Sequence, residues 1–273
     1  MAIQRQSVIA RFYDLLDGVT EGDPVDLLAE DFEFEMMFPG VEDIPPERVS
    51  GGKDGFKRFM QGLAARGGRF QSTGSQRRHN IHTLTVVDGL ELMVGKGVGG
   101  RRNGSLVAAA QEDPEGKLRR YLVVMSSVRF PEDPDRSKTH QRPSVLERFF
   151  DLLDGFTHGD PVDILSEDFE FEMVFPGLEG PPDERVSGGK EDFRQFMESL
   201  YARGRPRHPV DPERRHHVQT LTVADGLELM LGKAVGGRRQ GTILAAAQED
   251  DQGKLRRYAV VMSSVAFPES RDR

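Results

Sequence analysis

Apolar positions along this chain switch between two periods, and the switches mark out its elements. From Val8 to Gly18 the residues Val8, Ile9, Phe12, Leu15 and Leu16 recur at helical spacing, which predicts a helix with one buried stripe that Gly18 is placed to end. A short second helix is predicted at Asp23-Pro24-Val25-Asp26-Leu27-Leu28, with Asp as its N-cap and Pro in its first turn. Strict alternation follows, Phe32, Phe34, Met36 and Phe38 against Glu33, Glu35 and Met37, closed by Pro39-Gly40. That is the period of a strand with one buried face. Residues 40–49 are rich in Pro and acid and read as a loop, and Ser50 to Asp54 opens a helix carrying Phe56, Phe59, Met60 and Leu63. The remainder reads as a β-meander with strands at 77–86, 90–98, 105–113 and 117–130, separated by glycine-bearing turns.

The whole pattern then repeats. RRHNIHTLTV at Arg77 to Val86 returns as RRHHVQTLTV at Arg214 to Val223, and the same offset of 137 residues aligns the rest without a gap. Roughly two thirds of aligned positions are identical, so one domain is written twice. Copy one spans residues 1–132 and copy two 144–273; the polar, Pro-bounded 133–143 (DPDRSKTHQRP) joins them as a linker. Helices gathered on one face of an antiparallel sheet make an α+β layer fold, with room for a pocket between the layers.

Composition narrows the chemistry. Hydrophobic residues at 37% and charged residues at 30% suit two folded domains. With no cysteine there is no disulfide, thiol nucleophile or thiolate metal site, so any catalysis falls to His, Asp, Glu, Tyr or Lys. The net charge of −8 repels polyanions, and nucleic acid is not an expected partner. Apolar runs are only a few residues long and MAIQRQSVIARF lacks the signal-peptide pattern, so no membrane association and a cytoplasmic location are expected. No His or carboxylate spacing resembles a metal site, and GKGVGG at Gly95 to Gly100 has the dinucleotide spacing without the following helix. No metal and no cofactor are expected.

The element order, with GDPVDLLAEDFEFEMMFPG, RVSGGKDGFKRFM and a His-bearing strand ending in a VDG turn, resembles the SnoaL-like polyketide cyclase and ketosteroid isomerase superfamily. The cone-shaped fold of that superfamily is also that of the nuclear transport factor. The resemblance implies two tandem cystatin-like α+β cones, each a curved antiparallel sheet wrapped around helices. It also implies an intrachain pseudo-dimer in which the two repeats pair with each other, with further oligomerisation open. By the same resemblance the activity is cofactor-free acid–base chemistry of biosynthesis, as a cyclase, isomerase or dehydratase on a polyketide-like or terpenoid small molecule. The scaffold also serves proteins without catalysis, so a non-catalytic small-molecule binding or scaffold protein is the alternative.

Candidate residues follow from strand parity and from that likeness. If Leu84 and Val86 face the core, Arg78, Asn80 and His82 share their face, and the resemblance makes His82 and His217 the proton-transfer groups with Asn80 and Gln219 as hydrogen-bond partners. His79 and His216 then lie on the opposite face, in a structural or interface role. Tyr13 stands near the position of an oxyanion-binding tyrosine in the isomerase relatives, although copy two has Phe150 there. Glu35 and Glu172, with Glu33 and Glu170, lie near the relatives' general-base carboxylate. Alternation sets them opposite the phenylalanines, which reads as a solvated edge. Phe34, Phe171, Met36 and Met173 are candidate apolar walls, and Gln111, Gln248, Tyr121 and Tyr258, kept in both copies, are candidate polar contacts.

Overall fold

The structure is a computed structural model that describes residues 6–38, 47–65, 78–87, 89–97, 104–132, 144–176, 184–204, 214–224, 226–235 and 240–267. The loop expected at 40–46, residues 68–76, Asp88 and the linker at 133–143 lie outside the described residues.

Both repeats fold into the same order of elements. In the first these are α1 (Val8–Leu16), a 3₁₀ turn (Pro24–Leu27), β1 (Leu28–Phe38), β2 (Glu47–Gly52), α2 (Lys53–Ala65), β3 (His79–Val87), β4 (Leu90–Gly97), β5 (Gly104–Glu112) and β6 (Leu118–Ser126). The second gives α3 (Val145–Asp154), a 3₁₀ turn (Pro161–Ile164), β7 (Leu165–Phe175), β8 (Glu184–Gly188), α4 (Lys190–Ala202), β9 (His216–Ala224), β10 (Leu227–Ala234), β11 (Gly241–Glu249) and β12 (Leu255–Ser263). Local chemistry accounts for the starts. Asp23 Oδ1 accepts from Val25 N at 2.9 Å with Pro24 at the first position. Ser7 Oγ accepts from Ala10 N at 3.2 Å. A carboxylate on the neighbouring sheet completes that cap, since Glu91 accepts from Val8 N and Ile9 N at 2.7 and 2.8 Å and from the Ser7 hydroxyl. Glu228 does the same for α3 through Ser144, Val145 and Leu146. The buried cap both satisfies orphan helix donors and fixes each first helix to its sheet.

Each repeat is thus α+β, with a six-stranded sheet in the order β2-β1-β6-β5-β4-β3 and its twin β8-β7-β12-β11-β10-β9. The sheets are mixed, where the pattern suggested purely antiparallel ones. β1 lies parallel to the last strand, with Phe34 opposite Tyr121, and β7 does so beside β12. A further strand also replaces part of the expected loop and helix cap. Residues 47–52 pair with β1, Phe34 lying opposite Gly51, whose φ of +155° is a backbone conformation that glycine adopts without a Cβ penalty. The helices cover one sheet face around an aromatic core, Phe12, Phe32, Phe34 and Phe56 in the first repeat and Phe149, Phe169, Phe171 and Phe193 in the second.

The compact units are drawn differently from the repeat boundaries read in the sequence. One comprises Met1–Ser127 with Ser264–Glu269, the other Val128–Ser263 with Ser270–Arg273. Residues 264–267, which follow β12, therefore belong with the first unit, where Ser264 donates through N and Oγ to Glu35 Oε2 at 3.1 and 2.8 Å. Among the described residues no helix is long and apolar enough to cross a membrane.

Candidate functional site in the second unit

Strand β3 decides which side chains reach the interior, and a bulge reverses the expected parity. His79, Asn80 and Ile81 lie opposite Gly97, Lys96 and Gly95, but the next pairing is Thr83 with Val94, which leaves His82 as the extra residue. In β9 the same shift leaves Gln219 extra, between Val218 opposite Gly232 and Thr220 opposite Leu231. An inserted residue swaps the two faces. Downstream of the bulge Leu84 and Leu221 pack on the cores, while upstream Ile81 and Val218 do so, bringing His79 and His216 to the same side. Asn80 and His217 are exposed, His82 and Gln219 are half-buried, and Val86, expected in the core, is 61% exposed. The glycines opposite the bulge permit it. A Cβ on Gly95 would sit 2.5 Å from the Asn80 carbonyl oxygen, and one on Gly232 2.5 Å from that of His217.

Each inward histidine is held by a buried aspartate at the end of the first helix. Asp154 Oδ1 lies 2.7 Å from His216 Nδ1, and its Oδ2 accepts from Arg215 N and His216 N at 2.9 and 3.0 Å. Asp17 holds His79 in the same way, at 2.7 Å, with Arg78 N and His79 N both at 2.9 Å. Burial alone would raise the pKa of either carboxyl, but the hydrogen bonds and charge of the histidine and the backbone N–H groups outweigh it and hold both below the ordinary aspartate value. An ionised carboxylate can only accept, so Nδ1 carries a proton, and in the singly protonated ring this leaves Nε2 as the acceptor. The imidazole stacks on the ring one turn back in the helix, His216 on Phe150 at 4.7 Å and His79 on Tyr13 at 4.5 Å.

In the second unit this dyad opens on a cavity of about 350 Å³ between α3, α4 and the sheet. Phe149, Phe150, Phe193, Met173 and Met197 are among its apolar walls; Glu184, Arg203, Arg215, His216 and Tyr258 supply polar atoms. Tyr258, on β12, is 2% exposed and burial pushes its pKa up, so the phenol stays protonated and can serve as a donor. An imidazole held by a carboxylate and a protonated phenol lining the same apolar cavity are residue types that acid–base chemistry uses. Among the described residues no group of three or more His, Asp or Glu side chains could hold a metal ion.

The other residues singled out in the sequence are placed as follows. Met173 lines the cavity, whereas Phe171 lies in the core cluster outside the lining; Phe34 and Met36 are buried in the first core. Tyr13 and Tyr121 are buried and share a hydrogen bond of 2.8 Å between their hydroxyls. Gln111 and Gln248 are half-buried, Gln248 accepting from Arg257 Nη1 at 2.5 Å. Glu35 and Glu172 do lie off the phenylalanine face, yet they are not solvated. Both are buried, at 0% and 2% exposure, Glu35 in an ion pair with Arg48 and Glu172 2.8 Å from Arg185. Glu33 and Glu170 are the exposed pair. Asp17 and Asp154 went unremarked in the sequence although a signal was present: each is an apolar helix's final acid before a glycine, in both copies, and a carboxylate opposing the helix dipole calls for a partner.

No protein-family model matches this chain, and no curated protein matches it. Forty-four chains of solved structures match. One of them, from work on the de novo design of proteins with diverse pocket structures, is 12% identical with a TM-score of 0.29, over 44% of this chain and 96% of that one. That likeness is too slight to bear on fold or function.

Proposed function

We propose that the cavity of the second unit is the site of a cofactor-independent acid–base enzyme, a cyclase, isomerase or dehydratase, in which Asp154 and His216 form the base and Tyr258 the donor. The observation that carries it is the Asp154–His216 dyad opening on an apolar cavity. A solvated sheet histidine needs no buried aspartate to set its tautomer, whereas a base does. The likeness to the SnoaL and ketosteroid isomerase cones supports the reading, as does the order of helix, strand, helix and meander, and makes a polyketide-like or terpenoid small molecule the expected substrate. In this mechanism His216 Nε2 takes a proton from an acidic carbon, Asp154 stabilises the imidazolium, and Tyr258 donates to the oxygen on which negative charge collects.

The test uses 5-nitrobenzisoxazole, whose ring opens when a base removes its carbon-bound proton. The N–O bond breaks, a coloured cyanophenolate forms, and the proton returns to water from the imidazolium. The full chain is expected to accelerate this reaction, and His216→Gln to remove about 10²-fold of the rate. If the double variant His79→Gln/His216→Gln keeps the full rate, the base assignment fails. Binding of the probe without turnover would favour the non-catalytic carrier instead.

A further inference from the structure

The two units differ in one oxygen beside the histidine. In the first, the hydroxyls of Tyr13 and Tyr121 satisfy each other at 2.8 Å. In the second, Phe150 takes the place of Tyr13 and keeps its stacking on the histidine, but brings no hydroxyl to the twin of Tyr121, which is Tyr258. Tyr258 is nonetheless 98% buried, since only 2% of it is exposed. Its ring packs edge-on against Phe149 at 5.3 Å, and its hydroxyl makes no hydrogen bond to any described residue; burial alone perturbs it. A phenol in an apolar wall without a partner is disfavoured unless something in the cavity accepts from it.

We infer that the second unit's cavity selects an apolar ligand carrying a carbonyl oxygen that accepts from Tyr258, and that Phe150 is the residue conferring this selectivity by leaving the phenol free. The inference takes the cavity as a ligand site, as proposed above, and is independent of the dyad's chemistry. A carbonyl is the simplest such acceptor, since its oxygen accepts from the phenol without bringing a second donor against the Phe149 ring that packs edge-on on Tyr258.

The test compares two probes of one shape, 2-acetylnaphthalene and 2-isopropenylnaphthalene, which differ only by C=O against C=CH₂, in titrations of the full-length chain. The ketone is expected to bind roughly tenfold more tightly, the worth of one hydrogen bond to an otherwise unpartnered donor. Tyr258→Phe should equalise the two by weakening the ketone alone. Phe150→Tyr should equalise them as well, by rebuilding the tyrosine pair that the first unit already accommodates. Equal binding of the two probes to the unmodified chain would overturn the inference, as would a preference that survives in Tyr258→Phe or no binding of either probe at millimolar concentration. Catalytic failure is distinguishable: a ketone preference that holds while His216→Gln leaves 5-nitrobenzisoxazole turnover unchanged removes the acid–base reading and keeps this one.

Discussion

A single buried oxygen has opposite worth in the two units. Tyr121 has a partner in Tyr13, and Tyr258 has none among the described residues. Replacing a paired hydroxyl loses a hydrogen bond and strands its neighbour, whereas replacing an unpaired one removes only a desolvation cost. Tyr121→Phe is therefore expected to lower stability by about 1 kcal/mol and Tyr258→Phe to raise it by about as much, read from urea unfolding in the absence of ligand. Two shifts of the same sign would contradict this pairing. At the dyad, Asp154→Asn changes little volume but can present an N–H to Nδ1, which would move the ring proton to Nε2 and abolish the acceptor. Turnover of 5-nitrobenzisoxazole should fall by about 10²-fold, comparably to His216→Gln. The same aspartates shape acid stability. Their folded pKa values lie below the ordinary value of 3.8, so their contribution is complete above that value and is lost as pH falls through the folded pKa. In Asp17→Asn/Asp154→Asn the loss of stability from about pH 5 to pH 2 should be shallower than in the unmodified chain.

Among the elements, the bulge in β3 and β9 controls the site, because it determines which histidine faces inward. The α-helices, the longer strands and the duplication were legible from periodicity, since Val8 to Leu16 and Phe32 to Phe38 each keep one period without interruption. The parity of His79 was not, because one inserted residue leaves the composition of a strand unchanged while reversing its faces. The only trace was glycine within a neighbouring strand, Gly95 and Gly232, a residue that marks bulges and close backbone approach. Strand β2 escaped notice for a similar reason, since a six-residue edge strand with the sequence ERVSGG has no alternation to show. Adding the missing methyl group tests the bulge. Gly232→Ala must push against the His217 carbonyl, 2.5 Å from the added Cβ. It is expected to cost about 1–3 kcal/mol as an overpacked contact, and to weaken the Asp154–His216 hydrogen bond, visible as loss of the downfield Nδ1–H resonance. An alanine variant with unchanged stability and an intact resonance would mean that the glycine does not set the register.

For the molecule as a whole, what matters is that packing does not respect the repeat boundary. Gapless similarity across the two copies gives no hint that residues after β12 serve the first unit, because their twins after β6 carry similar residues, Ser127-Val128 against Ser264-Val265. The assignment rests on Ser264–Glu269 grouping with Met1–Ser127 and on the two hydrogen bonds from Ser264 to the buried carboxylate of Glu35. Phe267, 3% exposed, lies in this segment. Truncating a buried phenylalanine to alanine costs about 3–5 kcal/mol, and the cost should fall on the unit that the side chain packs in, not on the repeat that encodes it. Phe267→Ala is accordingly expected to speed amide hydrogen exchange in β1, at Leu28–Phe38, while exchange in β7, at Leu165–Phe175, changes much less. Because the two strands are near-identical in sequence, their intrinsic exchange rates are closely matched and each serves as the reference for the other. Faster exchange confined to β7 would place the segment with its own repeat and return the molecule to two consecutive halves.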